Sequence, residues 1–475
     1  MKKFLLCAAL ATASLPTLAE SNVYYFKEND SEFNLMGQAY AVSRYGNYAV
    51  IVDDEMNMCY LWRKSDPEKL ELINQYKNDR YEKLEIRAIN DDGLMAGSIL
   101  DGFTWTPFVL QAGGEMTPLP LHENALTLNY PCGISEDGNV IGGSMGMRSK
   151  EEGGIGRSYP VLWVKGDDGE YELQINEDLD IPNHQGANVT CMYSDGTADG
   201  TYLGGDVWCG AGSTIPFIYN KGEMKLWDTL ESVRVPWYYK GEVRGHVWAT
   251  TINGKRDYYF RENDAISSGI YGCDYAGNFY GRRVVVYDIV STDPENPDYG
   301  NAQHRYQYGY YNLYNDNWEV RDGSNQINAG IDGKVIFTNE ARVFPDGLDS
   351  TPVSFNEYTG ANAREVMGVS RMSGDGSVIG LVYAAYDNMG QQHAYPVMVV
   401  LDHPLVGIDN ITPDSESESV ILTYNDTIEV VGADSSVEVY DLAGHRISTS
   451  PTTSGLSTGI YIVKIGENSH KVQVR

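Results

Sequence analysis

The sequence predicts an all-β protein: a β-propeller of seven blades, with six or eight as alternatives, followed by a small C-terminal β-sandwich. Three observations predict it. A short motif recurs along most of the chain, each copy carries the Gly-rich turns of tight hairpins, and further short strand patterns follow an acidic linker. The composition agrees, because 50 Gly and 35 Tyr among 475 residues suit turns and strands.

The net charge limits the classes of partner. Asp and Glu number 66 against 35 Lys and Arg, which gives a formal charge of −31. Such a charge argues against binding nucleic acid through a basic face and against docking on anionic lipid. A hydrophobic content of 42% excludes a wholly disordered chain.

Residues 1–19 are typical of a signal peptide. Met1-Lys2-Lys3 is a positive start, residues 4–13 are an apolar run too short to span a bilayer, and Thr17-Leu18-Ala19 fits a cleavage site. We therefore expect an exported protein, extracellular or at the cell surface, with the periplasm as the alternative. No later apolar stretch reaches 18 residues, so we expect no transmembrane helix.

The repeated motif is a small or apolar pair, then Ser or Asn, then an acidic turn that ends in Gly, often with a second Gly after it. Clear copies occupy 88–93, 133–138 and 368–376. The seven turn glycines are Gly46, Gly93, Gly138, Gly200, Gly277, Gly333 and Gly376. They predict seven tight turns, because Gly supplies the positive φ that hairpin turns need.

A second motif follows each copy of the first. An aromatic residue or Pro precedes three apolar residues, as in 159–163 and 395–399, and a turn and an alternating run complete the unit. Each unit therefore reads as four short strands, with the continuous apolar runs buried on both faces. Units of this kind stacked around an axis are propeller blades, and we expect the propeller over 20–404.

Two features modify the ring. Asn253-Gly254 between two strand patterns predicts a hairpin inserted after the fourth unit, and this insertion also contains Trp237, Tyr238 and Tyr239. These aromatic residues are our candidate ligand-binding residues, since aromatic faces stack on sugars or apolar ligands.

The seventh unit has only three strands before Pro404, so we expect residues 23–26 to complete it and close the ring.

The repeats resemble a known class. The pattern A-I-x-x-D-G-x-x-x-G … P-x-L-W is similar to the HAF-type repeats of secreted bacterial proteins, over most of 38–401. The resemblance implies a propeller and no particular reaction.

The C-terminal residues have a separate organisation. Residues 405–419 form an acidic linker, and the short strands of 420–475 predict a small sandwich. Residues 437–444 and 456–464, with the basic end 471–475, resemble the C-terminal sorting domain of the Por (type IX) secretion system. The residues that carry this resemblance are Asp441, Gly444, Gly459, Ile460, Tyr461 and Lys464. It implies the secretion machinery as a partner, although Ile411-Thr412-Pro413 stands where that family has Pro-Asn-Pro; the alternative is an ordinary β-sandwich.

Motifs of catalysis are missing from the sequence. There is no HExxH, CxxC or phosphate-binding glycine fingerprint, and the acidic turn at 135–138 departs from the sialidase Asp box. Cys191 and Cys209 fall in one unit and are a candidate disulfide, with buried free thiols as the alternative. We predict no catalytic residue, metal or cofactor, although 66 acidic residues leave a carboxylate pair open.

The sequence thus favours an exported, non-enzymatic, monomeric propeller that binds a glycan or a surface protein. The alternatives are a polysaccharide hydrolase or lyase on the same scaffold, and a structural component of a surface complex.

Overall fold

The computed structural model describes most of the chain outside its first 20 residues. The described ranges are 21–26, 35–53, 58–73, 83–149, 156–179, 186–208, 214–227, 230–239, 242–252, 255–261, 268–289, 302–323, 325–364, 366–386, 392–401, 404–405, 420–424, 427–431, 436–441, 446–457, 459–465 and 468–474. They fall into two compact units.

The described residues of the first unit form 31 strands and one short helix. In chain order these are β1 (Ser21–Tyr25), β2 (Gly37–Val42), β3 (Tyr48–Asp53), β4 (Met58–Arg63), β5 (Leu70–Leu72), β6 (Lys83–Ile89), β7 (Leu94–Asp101), β8 (Thr104–Gln111), β9 (Met116–Pro118), β10 (Ala125–Ile134), β11 (Val140–Met147), β12 (Arg157–Lys165), β13 (Tyr171–Ile175), β14 (Gly186–Ser194), β15 (Thr201–Trp208), β16 (Thr214–Asn220), β17 (Glu223–Leu226), β18 (Leu230–Tyr239), β19 (Glu242–Ile252), β20 (Lys255–Arg261), β21 (Gly269–Cys273), β22 (Asn278–Ile289), β23 (Ala302–Asn312), β24 (Asn317–Asp322), β25 (Ile327–Ile331), β26 (Val335–Thr338), β27 (Arg342–Phe344), β28 (Val353–Ser354), α1 (Phe355–Thr359), β29 (Val366–Met372), β30 (Val378–Tyr386) and β31 (Gln392–Leu401).

These strands form seven antiparallel four-stranded blades. The blades are β2–β5, β6–β9, β10–β13, β14–β17, β21–β24, β25–β28, and β29–β31 together with β1. The first strand of each blade contacts the first strand of the next, and β29 contacts β2, so seven inner strands close a ring. The predicted all-β propeller of seven blades is confirmed.

The last blade is closed by the beginning of the described chain. β1 pairs with β31 in an antiparallel ladder in which Val23 lies opposite Val399. The prediction that residues 23–26 complete the seventh unit is confirmed for β1, and this pairing covers an edge strand that would otherwise be open.

The turn glycines fulfil their predicted role in six of seven blades. Their φ angles lie between 66° and 79°. The fourth blade differs, because its first turn is longer and the positive φ of 95° falls on Gly196. The prediction for Gly200 is therefore wrong: this residue is not in the left-handed region, and it packs against the Asp195 side chain.

The inner strands share an irregularity that the motif did not reveal. Each carries a register shift against the second strand of its blade. In the second blade Ile86 pairs with Gly97 and Ala88 with Ala96, so Arg87 is an extra, unpaired residue. Such a β-bulge bends the strand and redirects the side chain of the extra residue.

The predicted insertion lies between the fourth and fifth blades. It is a separate three-stranded sheet of β18, β19 and β20, in which Ile252 lies opposite Lys255. This confirms the predicted hairpin and extends it by one strand; Asn253 and Gly254 are outside the described residues.

The hydrophobic core lies within and between neighbouring blades. Trp62 and Trp163 are both fully buried, and their indole N–H groups donate to the carbonyl oxygens of Pro67 at 2.9 Å and Pro120 at 2.8 Å. Apolar residues of the first and second blades form one cluster, and those of the second and third blades form another.

The second unit is a small sandwich of two sheets, as predicted. Its strands are β32 (Val420–Tyr424), β33 (Thr427–Val431), β34 (Val437–Asp441), β35 (Arg446–Ser448), β36 (Thr452–Thr453), β37 (Gly459–Ile465) and β38 (Asn468–Val474). One sheet has the order β32-β33-β36 and the other β35-β34-β37-β38. A core that includes Ile428, Val439, Val463 and Val474 lies in this unit.

No helix in the described part of the chain is long and apolar enough to cross a membrane.

Candidate ligand-binding site in the central channel

A cavity of about 170 Å³ lies on the axis of the ring, lined by residues of all seven inner strands. It runs from the middle of these strands to the turns that follow them. A cavity of about 150 Å³ can hold a six-membered ring, so this one has room for a single small cyclic group.

The bulge residues form one level of this cavity. In six blades the extra residue of the inner strand lines it; these residues are Tyr40, Arg87, Cys132, Thr190, Tyr271 and Asn328. In the seventh blade the extra residue is Ser370, whose hydroxyl donates to the Gly380 carbonyl oxygen at 3.0 Å, and its neighbour Arg371 lines the cavity instead. The repeated bulge therefore places one variable side chain per blade around the axis.

Arg371 brings a positive charge to this level. Its Nε donates to the carbonyl oxygen of Tyr40 at 3.1 Å and its Nη1 to that of Ser370 at 2.8 Å. Burial lowers the pKa of Arg371 from its usual value, and the nearby charge of Arg87 adds to this effect. No carboxylate among the described residues pairs with Arg371, so its charge remains available to a ligand.

Arg87 is the second positive group. Its guanidinium lies 4.3 Å from the ring centroid of Tyr130 and donates from Nη2 to Oε2 of Glu85 at 2.8 Å. Lys83 bonds to the other oxygen of Glu85 at 2.9 Å. Burial alone would raise the pKa of Glu85, but hydrogen bonds and charges from Lys83 and Arg87 lower it.

Two buried polar atoms at this level lack partners. Nε of Arg87 has no acceptor and Oδ1 of Asn328 has no donor among the described residues. A buried polar atom without a partner costs about 1–3 kcal/mol. A ligand group that offers both a hydrogen-bond acceptor and a donor would satisfy both atoms.

The turn end of the cavity is aromatic and charged. The guanidinium of Arg44 lies 4.7 Å from the ring centroid of Tyr275, whose side chain is 45% exposed. Tyr193, which also lines the cavity, shares a hydrogen bond of 2.8 Å with Tyr314, which is 72% exposed. Aromatic and cationic groups therefore frame this end of the cavity.

The two acidic residues of the cavity wall already accept hydrogen bonds. Asp274 accepts from the Tyr280 hydroxyl at 2.6 Å and from Asn278 Nδ2 at 2.8 Å, and Glu136 accepts from the Asp91 backbone N–H at 3.1 Å. Burial raises the pKa of both carboxyl groups. No histidine is among the described residues that line the cavity.

Three cysteines also line the cavity. Burial raises the pKa of the Cys132 thiol, and a hydrogen bond with Cys191 raises that of Cys273, with burial adding to it. Both groups are therefore protonated thiols rather than nucleophilic thiolates. Of the proposed pair Cys191 and Cys209, the second cysteine lies outside the described residues.

The predicted aromatic residues lie in the insertion. Trp237, Tyr238 and Tyr239 end β18, with Tyr239 opposite Glu242 of β19. The structure does not describe their side chains, and their role in binding stays a prediction.

The residues of the sorting-like motif lie on two paired strands. Asp441 ends β34 opposite Tyr461 of β37, which begins with Gly459 and Ile460. The Tyr461 hydroxyl donates to the Ser457 carbonyl oxygen at 2.8 Å, and Lys464 lies opposite Glu438. Gly444 lies outside the described residues.

Sequence reasoning missed the channel residues Arg87, Asn328 and Arg371. A signal was present, because the bulge residue stands six positions before the turn glycine in the first three blades, as Tyr40, Arg87 and Cys132 do before Gly46, Gly93 and Gly138. The spacing alone does not reveal that these side chains lie near one another; the pairing of the strands places them around one axis.

No protein-family model matches the sequence, and no curated protein matches it. Among solved structures, the chain is similar to a streptogramin B lyase structure, with 12% identity over 81% of this chain and 98% of that chain and a TM-score of 0.36. A subtype N11 neuraminidase-like protein of A/flat-faced bat/Peru/033/2010 is 11% identical over 77% and 88% of the two chains, with a TM-score of 0.32. The β-propeller domain of the Trilobed protease from Pyrococcus furiosus is 10% identical over 80% and 99%, also with a TM-score of 0.32. With TM-scores this low, these similarities assign neither a family nor an activity to the chain.

Proposed function

We propose that the protein is an exported binding protein whose propeller holds an anionic, hydroxylated group of its ligand in the central channel. The observation that carries the proposal is the pair Arg87 and Arg371 at one level of the cavity, where Nε of Arg87 and Oδ1 of Asn328 have no hydrogen-bond partner among the described residues.

The donor and acceptor set favours a particular chemistry. Guanidinium groups bind carboxylates through charge-assisted, often bidentate hydrogen bonds. Oδ1 of Asn328 needs a donor, which a hydroxyl supplies and a carboxylate does not. A carboxylated sugar offers both groups on one ring, and one ring is what a cavity of about 170 Å³ accommodates. An acidic glycan therefore fits better than a peptide carboxylate.

Binding rather than catalysis is the activity we propose. The acidic side chains of the cavity wall are occupied by hydrogen bonds, Glu136 from the backbone of Asp91 in the neighbouring blade and Asp274 from side chains of its own blade. Glycoside hydrolysis instead needs two carboxyl groups that face the bond to be cleaved. The thiols of Cys132 and Cys273 are held in the protonated form.

Calorimetric titration of the mature protein would test this function. We expect an oligogalacturonate or sialyllactose to bind, and the neutral counterpart of each to bind about tenfold more weakly. Arg371→Gln should lower the affinity for the acidic sugar by a similar factor, as loss of a charged hydrogen bond implies. Arg342→Gln is the matched control, because Arg342 is exposed on β27. Equal affinity for acidic and neutral sugars, or no effect of Arg371→Gln, would contradict the proposal. Release of shortened sugars would instead support the hydrolase or lyase alternative.

We also propose that residues 1–19 direct export and that the C-terminal sandwich directs the protein to the cell surface. The apolar N-terminal run and the motif of Asp441, Tyr461 and Lys464 support this assignment. A surface location would expose the propeller to polymers outside the cell.

A further inference from the structure

A second group of side chains lies on the fourth blade, away from the cavity. Trp208 is the last residue of β15 and is 48% exposed. Asp206 precedes it by two residues on the same strand, so both side chains project from one face of the sheet. Asn188 of β14 lies opposite Asp206, and its Nδ2 donates to Oδ1 of Asp206 at 3.1 Å.

The group is held firmly in place. Burial raises the pKa of Asp206 to about 6, and hydrogen bonds from the side chains of Asn188 and Trp208 oppose the shift. The fifth blade also packs closely here, since a Cβ atom on Gly269 would lie 3.0 Å from that of Asp206. The carboxylate therefore anchors the indole ring while the ring itself remains exposed.

An exposed aromatic residue elsewhere in the ring provides a comparison. Phe103 follows the second strand of the second blade, close to the position that Trp208 has at the end of the second strand of the fourth blade, and is 90% exposed. No hydrogen bond or ring contact joins its side chain to another described residue. Trp208 differs because a carboxylate and an amide stand beside its ring.

Trp208 lies at the opposite end of the ring from the turns that frame the cavity. In an up-and-down blade the second and fourth strands end on the same side, so the insertion β18–β20 leaves the fourth blade from the side on which Trp208 lies. The aromatic residues Trp237, Tyr238 and Tyr239 belong to that insertion.

We propose that Trp208, Asp206 and Asn188 form a carbohydrate-binding subsite for a neutral sugar ring. The indole face stacks on the apolar C–H face of the sugar, because Trp combines a large apolar surface with a wettable edge. The Asp206 carboxylate accepts a hydrogen bond from a sugar hydroxyl, and the Asn188 amide, which is exposed, supplies a donor and an acceptor. This site needs no charge on the ligand and is independent of the channel.

Affinity gel electrophoresis of the full mature protein in gels that contain laminarin, xylan, galactomannan or soluble starch would test the subsite. We expect at least one polymer to retard the protein, and Trp208→Ala to weaken that binding about tenfold or more, as loss of a stacking platform implies. Trp208→Phe should retain most of the affinity, and Asp206→Asn should lose part of it.

Two controls separate this subsite from other effects. Phe103→Ala removes a similarly placed exposed aromatic residue and should leave retardation unchanged. Arg371→Gln should also leave it unchanged, so failure of the channel proposal does not affect this result. Near-UV circular dichroism would show that each variant is folded. If no polymer retards the wild-type protein, or if folded Trp208→Ala binds as the wild type does, the proposal is overturned.

Discussion

A Cβ atom on Gly97 would lie only 2.2 Å from the carbonyl oxygen of Glu85. The two residues belong to the second and inner strands of one blade, beside the bulge at Arg87. Equivalent close approaches occur at Gly281, whose Cβ would lie 2.2 Å from the Gly269 oxygen, and at Gly143. In these three blades the glycine of the second strand therefore makes room for the bulged inner strand.

Gly97→Ala should destabilise the protein and disturb the channel together. The atoms in the way are backbone atoms of Glu85 and Ile86, which cannot turn aside as a side chain can. We expect a loss of about 1–3 kcal/mol, as for other overpacked sites, measured by urea unfolding. Binding of the acidic probe should weaken as well, because the same shift moves Arg87.

Gly166→Ala is the matched control. The nearest atom to its Cβ is a side-chain oxygen of the exposed Asp168 at 3.1 Å, so we expect a change within about 0.5 kcal/mol. Equal effects of the two substitutions would contradict the role assigned to Gly97.

The sequence predicted the ring better than it predicted the site, for a physical reason. Turn glycines and apolar triplets are local signals, so blade number, closure and the C-terminal sandwich could be predicted. The channel is assembled from residues such as Arg87, Asn328 and Arg371, each in a different blade. Only the bulge register shows that these side chains share one cavity, and the regular spacing of the bulge residue before the turn glycine carries no information on that contact.

Tyr25→Ala should weaken closure of the ring. The Tyr25 ring packs edge-on against Tyr383 at 5.4 Å, and its hydroxyl accepts from the Arg364 backbone N–H at 2.8 Å. Loss of these contacts should lower the free energy of unfolding by about 2–3 kcal/mol.

Phe103→Ala is the control, because Phe103 is 90% exposed. We expect it to change the free energy of unfolding by less than about 0.5 kcal/mol. Similar values for both variants in urea unfolding would show that the β1–β31 pairing contributes little.

The Cys132 thiol should be inert in the folded protein. Burial raises its pKa, and the thiolate is the form that reacts with alkylating agents. We expect no iodoacetamide modification of Cys132 at pH 8 in the native state and complete modification in urea, measured by peptide mass spectrometry. Comparable modification with and without urea would refute the raised pKa of this thiol.

Asp206 should make the stability depend on pH in an unusual direction. Its pKa is about 6 in the folded protein against an ordinary 3.8, so between these values the folded state binds more protons than the unfolded state. Stability from this group therefore falls as the pH rises from about 4 to 6, by about 2 kcal/mol. Asp206→Asn removes this contribution.

The measurement is the difference in unfolding free energy between Asp206→Asn and the wild type across pH 4–8. The variant should gain relative stability as the pH rises and reach a constant advantage above pH 7. A difference that does not vary with pH would mean that the Asp206 carboxyl is not held at a raised pKa.

Deleting residues 410–475 should separate binding from delivery. The sandwich has a core of its own, which includes Ile428, Val439 and Val463, while ring closure depends on β1 and β31. We therefore expect the truncated protein to keep its ring and its affinity for the acidic probe but to lose surface display. Cell fractionation with protease accessibility would measure surface display. Tyr461→Ala removes a buried side chain of the sandwich, and we expect this variant of the full chain to be displayed less. Normal display of the truncated protein would refute the sorting role while leaving the channel proposal intact.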